Sequence, residues 1–324
     1  LPKQMGNPDL KWQRTLNNNF GLTAAFLDNR FNLSFDFYSN TTYDMLMSVN
    51  LPPSVGTSSM NVNFGQLNNK GLDLSLSAQI IRNKDWFWSV TLTGGHVMDQ
   101  IRKISEGLKN GIDNPYDSSK PKILFVEGGS QYDIYAMRSA GIDPATGKEI
   151  FIKKNGEYTF NYDEKERVAV GNTNPILQGS LMNTLRYKGF SISVATSYTF
   201  GSDYFNSTLK NKVENIDLNY NVDRRVFTDR WKEPGDHTRF LGIGTSSSSS
   251  QYSERFVEKR NELYISSIQV MYDFAPKAIT RLGLRKLAIG FGLSDIAHIS
   301  TVKFERGTEY PYCRGINLIF RPTF

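Results

Sequence analysis

The chain has 324 residues, 22 % of them charged, and a mean hydropathy of -0.42; no run of about 18 apolar residues occurs, so a helical membrane protein is excluded. One cysteine, Cys313, and three scattered histidines, His96, His237 and His298, rule out a disulfide framework or a multi-cysteine metal site, and no cofactor is expected. The net charge of +6 comes from Lys and Arg interspersed with acidic residues rather than gathered in a stripe, which argues against nucleic acid.

The chain opens on LPKQMGNPDLKW, a loop-like stretch without a charged-then-apolar leader, as expected after processing or in a piece of a longer protein. From Leu16 to Phe26, Leu16, Phe20, Leu22, Ala24 and Phe26 alternate with Asn17, Asn19, Gly21, Thr23 and Ala25, and Asn18 is the one lapse on the apolar face. After a turn at Leu27 to Arg30 the alternation resumes, with Phe31, Leu33, Phe35 and Phe37 opposite Asn32, Ser34, Asp36 and Tyr38. A period of two suits a strand and not a helix, so these segments predict a hairpin. A loop with Pro52, Pro53 and Gly56 is expected from Asn40 to Lys70.

The second hairpin is the clearest. Leu72, Leu74, Leu76, Ala78 and Ile80 alternate with Asp73, Ser75, Ser77 and Gln79; past a turn at Arg82 to Asp85, Trp86, Trp88, Val90 and Leu92 alternate with Ser89, Thr91 and Thr93. The polar face is small and mostly neutral, whereas a soluble sheet usually shows water Lys, Glu and Arg. The crowded, wet interior of a large barrel suits such side chains.

A long non-periodic section follows from Met98 to about Pro175, with a small surface hairpin expected to turn at Asn155-Gly156. A third hairpin spans Leu177 to Tyr187 and Phe190 to Phe200 across Lys188-Gly189. Another long connection, Gly201 to about Asn261, contains Trp231 and a low-complexity run, Ser246 to Ser250, read as flexible. Three last strands are predicted at Tyr264 to Phe274, Leu287 to Ser294 and Gly315 to Phe324. Short and long connections thus alternate, as in bacterial outer-membrane barrels with tight periplasmic turns and long extracellular loops.

Alternation alone does not distinguish lipid from a second sheet, but charge does. The nine predicted strands hold five charged residues, Asp36, Asp73, Arg186, Asp273 and Arg321, all on the polar face, where the chain-wide 22 % would place about 20. A charge on the lipid face of a barrel costs roughly 2 to 4 kcal/mol at the midplane, while a lumen charge stays solvated. Aromatic residues at strand ends, among them Trp86, Tyr187, Phe190, Phe200 and Tyr272, fit interfacial girdles. The strand count then puts the C-terminal end at the periplasmic side. The competing expectation is a surface adhesin or secreted β-rich binding protein without transport.

Several separated blocks carry a resemblance: NPDLKWQRTLNNNFGLTAAFLDNRFNLSFDFYSNTTYDMLMSVNLPPSVGTSS, NFGQLNNKGLDLSLSAQIIRNKDWFWSV, GIDPATGKEIF, VGNTNPILQGSLMNTLRYKGFSISVATSYTFGSDYFN and TDRWKEPGDHT. Over nearly the whole chain these resemble the SusC-like (SusC/RagA) branch of TonB-dependent outer-membrane transporters of Bacteroidota. The sequence departs from that branch at KKNGEYTFN, where an acidic Asp/Gly-rich loop is common, and at Ser294-Asp295-Ile296, where an Asn-Leu pair is. The resemblance implies an all-β fold, a transmembrane antiparallel β-barrel of about 22 strands with long extracellular loops. It further implies a plug, contact with TonB through an N-terminal region, and a SusD-like surface lipoprotein as hinged lid. The activity implied is import of oligomeric nutrients, oligosaccharide or oligopeptide. On this reading residues 1–324 are the C-terminal portion of the barrel, without the plug and the N-terminal strands. An open sheet cannot sit in outer-membrane lipid with bare backbone edges, so the remaining barrel and plug segment are expected as partners.

No enzyme motif is present: there is no GxSxG, P-loop or HExxH, and the acidic cluster Asp163, Glu164 and Glu166 reads as a solvated loop. Binding is therefore expected from the loops, where Tyr132, Tyr135, Tyr204, Phe205 and Trp231 are the candidates for substrate or lid contact. Met45, Leu46, Met47, Ile123, Leu124, Phe125, Tyr132 and Trp231 are expected to bury against other loops or the lipoprotein.

Overall fold

A computed structural model describes residues 6–50, 54, 56, 57, 59–104, 125–216, 219, 221–244, 251–279, 283–303 and 313–324. In chain order the strands are β1 (Arg14–Phe26), β2 (Phe31–Tyr43), β3 (Leu46–Asn50), β4 (Ser59–Asn63), β5 (Gly65–Arg82) and β6 (Trp86–Ile104). The short strands β7 (Asp133–Ala136), β8 (Arg138–Ile142), β9 (Glu149–Ile152), β10 (Tyr158–Thr159) and β11 (Val168–Asn172) come next. Then follow β12 (Leu177–Tyr187), β13 (Phe190–Phe205), β14 (Val257–Asp273), β15 (Lys286–Ser300) and β16 (Gly315–Thr323). One antiparallel sheet of nine strands runs β1-β2-β5-β6-β12-β13-β14-β15-β16, and each member contains one of the nine segments predicted by alternation. At the tight-turn end, Leu27, Asp28 and Asn29 all take positive φ, which lets β1 and β2 reverse within four residues.

Burial decides what the two faces meet. Leu16, Phe20, Leu22, Phe37, Leu72, Leu74, Phe200, Phe291 and Leu318 on the apolar face are all exposed. The buried hydrophobic residues lie almost entirely outside the alternating segments, at Ile101, Ile104, Ile134, Phe205, Val213, Phe240 and Phe256 among others. A soluble sandwich needs a second layer over its apolar face, and the described residues place none there. The aromatic girdle at the tight-turn end is assembled from neighbouring strands: Trp86 packs on Tyr187 with ring centroids 4.3 Å apart, and Phe190 on Tyr272 at 4.5 Å.

The polar side chain of Asn183 interrupts the apolar face, and a neighbour satisfies it. Asn183 shares a face with Leu181 and Leu185, and its Oδ1 accepts a hydrogen bond of 3.0 Å from Trp88 Nε1. Replacing Trp88 with Phe leaves that amide without its partner in an apolar setting and is expected to lower stability by about 1 to 2 kcal/mol. Asn183→Leu in the Trp88→Phe background should recover most of the loss. Urea midpoints of the four proteins check this; an N183L change that rescues nothing would sink the assignment.

The strands run further than the periodic segments at the long-connection end. The stretch Asn40 to Lys70, expected to be a loop, is mostly strand: β2 continues to Tyr43, β3 pairs with β4, and β5 begins at Gly65. Likewise β6 continues to Ile104, β13 to Phe205, and β14 starts at Val257 rather than Tyr264. Beyond the lipid these residues face water or loops, so nothing imposes apolar alternation on them. Strand β15, predicted to stop at Ser294, continues to Ser300 through a bulge: Asp295 takes φ 56, and the register with β14 shifts between Ile265 and Ser267. The extra residue inverts the alternation, which hides the upper half of the strand from a period-two reading.

The long connections fold together at one end of the sheet. Met45, Met47 and Phe125 pack on Phe64, Leu67, Ile101 and Ile104, with Phe64 and Phe125 edge to face at 4.9 Å. The expectation that these loop residues pack against other loops holds for Met45, Met47 and Phe125, which are partly buried, and for half-buried Trp231, whereas Leu46 and Tyr132 are exposed; Ile123, Leu124 and the run Ser246 to Ser250 lie outside the described residues. The small hairpin turns at Asn155-Gly156 as expected, Gly156 taking φ 89, and β8 extends it to a three-stranded sheet.

Candidate functional site

Two surfaces stand out: the polar wall of the large sheet, and the loop body at its long-connection end. On the wall, Asp36 of β2 lies directly opposite Asp73 of β5, with Gly21 of β1 and Gly95 of β6 on the outer sides of the pair. A Cβ on Gly21 would sit 2.6 Å from Asp36 Oδ1, and one on Gly95 would sit 2.5 Å from Asp73 Oδ1, so each carboxylate lies flat over a glycine. An open cavity of about 340 Å³ lies here, bordered by Asp36, Asp73, Ser75, Thr93 and Gln178. Hydroxyls knit the adjoining strands: Ser77 to Thr91 at 2.7 Å and Thr93 to Ser180 at 2.8 Å. Such a wall offers a passing polar solute many weak, replaceable hydrogen bonds. Among the described residues no group of three potential metal ligands occurs.

The loop body is held by an ionic cluster with no local sequence signal. Arg255 is buried between Glu149 at 2.7 Å, from β9, and Glu214 at 2.9 Å, from the helical turn Leu209–Glu214. Burial alone would lower the Arg255 pKa, but the hydrogen bonds and charge of the two carboxylates outweigh it and raise the value. Beside it, buried Arg230 donates to the carbonyls of Leu241 at 3.2 Å and Val213 at 2.8 Å, and also to that of Glu214. The apolar complement is a core of Ile134, Phe205, Leu209, Val213, Phe240 and Phe256. Two connections far apart in sequence therefore form one body. The cluster Asp163, Glu164 and Glu166 serves within it: Asp163 caps a 3-10 turn through Lys165 N at 2.9 Å, and Glu166 accepts from Lys154 N at 2.7 Å.

The five candidate residues are distributed through this body rather than gathered at one spot. Trp231 Nε1 donates to Pro144 O at 2.8 Å, and its ring lies over Gly147, where a Cβ would meet ring carbons at 2.4 Å. Gly147 also takes φ 68, so glycine answers both the turn and the close approach. The blocks GIDPATGKEIF and TDRWKEPGDHT thus dock on each other. Phe205 is a core residue against Tyr252 and Phe256, with centroids at 5.7 and 6.0 Å. Tyr135 is buried on β7, and burial together with the Asp133 charge pushes its phenol pKa up. Tyr204 is half-buried, paired with Glu258, while Tyr132 is 43 % exposed. The rings of Phe205 and Tyr135 are closed off by their own loops; Tyr132 is the most open of the five.

The family described as TonB dependent receptor-like, beta-barrel matches residues 3–133. The chain is 26 % identical to "TonB-dependent receptor P39" of Formosa agariphila over 91 % of its own length and 32 % of that protein's. The first two-fifths of the chain thus match the TonB-dependent receptor β-barrel family, and sequence likeness to TonB-dependent receptors extends over nearly all of it. It is 25 % identical to "TonB-dependent receptor SusC" of Bacteroides thetaiotaomicron, over 83 % of this chain and 27 % of that one. The fold of the RagAB peptide transporter superposes with a TM-score of 0.77 at 24 % identity, covering 92 % of this chain and 33 % of that one. The chain is thus similar to TonB-dependent receptors, SusC among them, and shares the fold of RagAB; it is an outer-membrane protein, its bare apolar face the lipid face and its polar wall the lumen. It spans about a third of the length of the relatives it matches.

Proposed function

We propose that the receptor containing this chain imports oligomeric nutrients, glycans or oligopeptides, through the barrel lumen, energised by TonB and covered by a SusD-like lipoprotein lid. The observation that carries this reading is the pairing of a mostly neutral, hydroxyl-rich lumen wall of small side chains with a large folded loop body at one end. A wall of that kind lets a long solute slide, and the loop body provides a broad extracellular surface for a lid. The sequence relationship to SusC and the shared fold with RagAB support it; neither fixes glycan or peptide. In this reading residues 1–324 supply nine strands, and further strands and a plug within the receptor close the barrel and reach TonB. Tyr132, and at other places in the same body Trp231 and Tyr204, supply aromatic contact to substrate or lid; Phe205 and Tyr135 support the body from within.

The test is growth of a strain lacking the receptor gene on oligosaccharide mixtures and on oligopeptides as sole carbon source. Loss of growth on one class, reproduced when TonB is depleted, is expected. Growth equal to the parent on both classes would overturn import and favour an adhesin.

A further inference from the structure

We propose that the outward face of β5 and β6, just above the lipid band, binds the phosphate groups of an outer-leaflet lipid through Lys70 and Arg102. This rests on the outer-membrane placement of the sheet and not on the import reading.

On β5, Lys70 lies one pleat beyond Leu72 on the same face, where the apolar row Leu76, Leu74, Leu72 ends. Its register partner on β6 is Met98. Further along β6 the register jumps: Ile101 pairs with Leu67 but Lys103 pairs with Gln66, so Arg102 is the extra residue of a bulge. A bulge re-aims a side chain, and here Arg102 joins Lys70, Met98 and Gln100 along one open cavity of about 410 Å³. Both cations are exposed, and neither has an ion-pair partner among the described residues. Two carboxylates border the same cavity, but their oxygens are engaged by the loop behind them. Asp99 accepts from Ser130 Oγ and from Gln131 N at 2.7 Å; Asp133 accepts from Ser130 N and Asn172 Nδ2, each at 2.8 Å.

Below the cations the surface is open and mostly apolar, with the half-buried His96 opposite Leu72. Met98 and Ile176 are exposed at 59 % and 66 %, with Leu72, Leu177 and Phe200 beneath. Two unpaired cations over an apolar strip match an amphiphile whose phosphates sit at headgroup level and whose acyl chains follow the strands. A solute in the lumen cannot reach this face, because the wall separates them.

The test uses the full-length receptor in dodecyl maltoside micelles and diphosphorylated lipid A as probe, with binding read by native mass spectrometry. Saturable binding is expected, weakened about 5-fold per cation removed, so on the order of 20-fold in K70Q/R102Q. K70R/R102K should retain affinity, and phosphate-free lipid A should bind the wild type no better than lipid A binds the double variant. Heat-modifiable migration on gels confirms that each variant is folded; if the double variant is not, K70Q alone should show the 5-fold loss. Undiminished binding by a folded variant, or equal binding of phosphate-free lipid A, would overturn the proposal. So would displacement of the lipid by inorganic phosphate at equal concentration, which would assign the cations to free anions.

Discussion

Arg255→Ala is expected to open the extracellular loop body while leaving the barrel wall folded. The substitution removes the guanidinium that Glu149 and Glu214 share and leaves two buried carboxylates facing each other. Removing one partner of a buried ionic cluster costs on the order of 3 to 5 kcal/mol, most of it the penalty of the stranded charge. The loop core of Phe205, Val213, Phe240 and Phe256 depends on the same two connections being held together, so both should loosen at once. Proteolytic cleavage within residues 134–172 and 206–244 should accelerate by roughly two to four orders of magnitude, because cleavage tracks the population of the open form. Heat-modifiable migration should persist, since the sheet's hydrogen bonds are untouched. Replacing the whole cluster, R255M/E149L/E214L, should restore most of the resistance. A cleavage rate unchanged in R255A would show that the cluster does not hold the loops.

Leu74→Arg is expected to block assembly or lower barrel stability by roughly 2 to 4 kcal/mol, while Ser75→Arg, one residue on, should be tolerated. Leu74 pairs with Phe35 on the lipid face, and Ser75 pairs with Ser34 on the lumen face. Adjacent residues thus experience hydrocarbon and water respectively. The same contrast is expected for Phe35→Arg against Ser34→Arg. Refolding into phospholipid vesicles, with urea titration of the folded fraction, compares the four variants. Equal damage from both pairs would mean that the face assignment is wrong.

The alternation that makes these variants predictable also explains which parts of the molecule were legible. All nine strands of the sheet, their facing and their tight turns were readable, because lipid on one side and water on the other impose a period of two. The upper strand ends were not readable. Residues such as Gln66, Asn68 and Asn69 of β5 form strand because β2 and β6 offer backbone partners, not because their own pattern requires it. The bulge at Asp295 concealed the upper half of β15 by inverting its parity.

The loop body shows the same limit more strongly. Aromatic residues in long loops pointed to binding, yet nothing in the residues around Phe205 distinguishes a core ring from a surface one, and the structure buries it. Glu149 and Glu214 stand 106 and 41 residues from Arg255, beyond any local motif. The sequence by itself determined the membrane-spanning sheet, since each strand's environment is set by the bilayer and is written into its own residues. Only the tertiary structure decided which loop residues are core, which ions pair, and where Lys70 and Arg102 meet. Those contacts join segments whose distance along the chain carries no periodic signal, and they are selected by packing rather than by solvent.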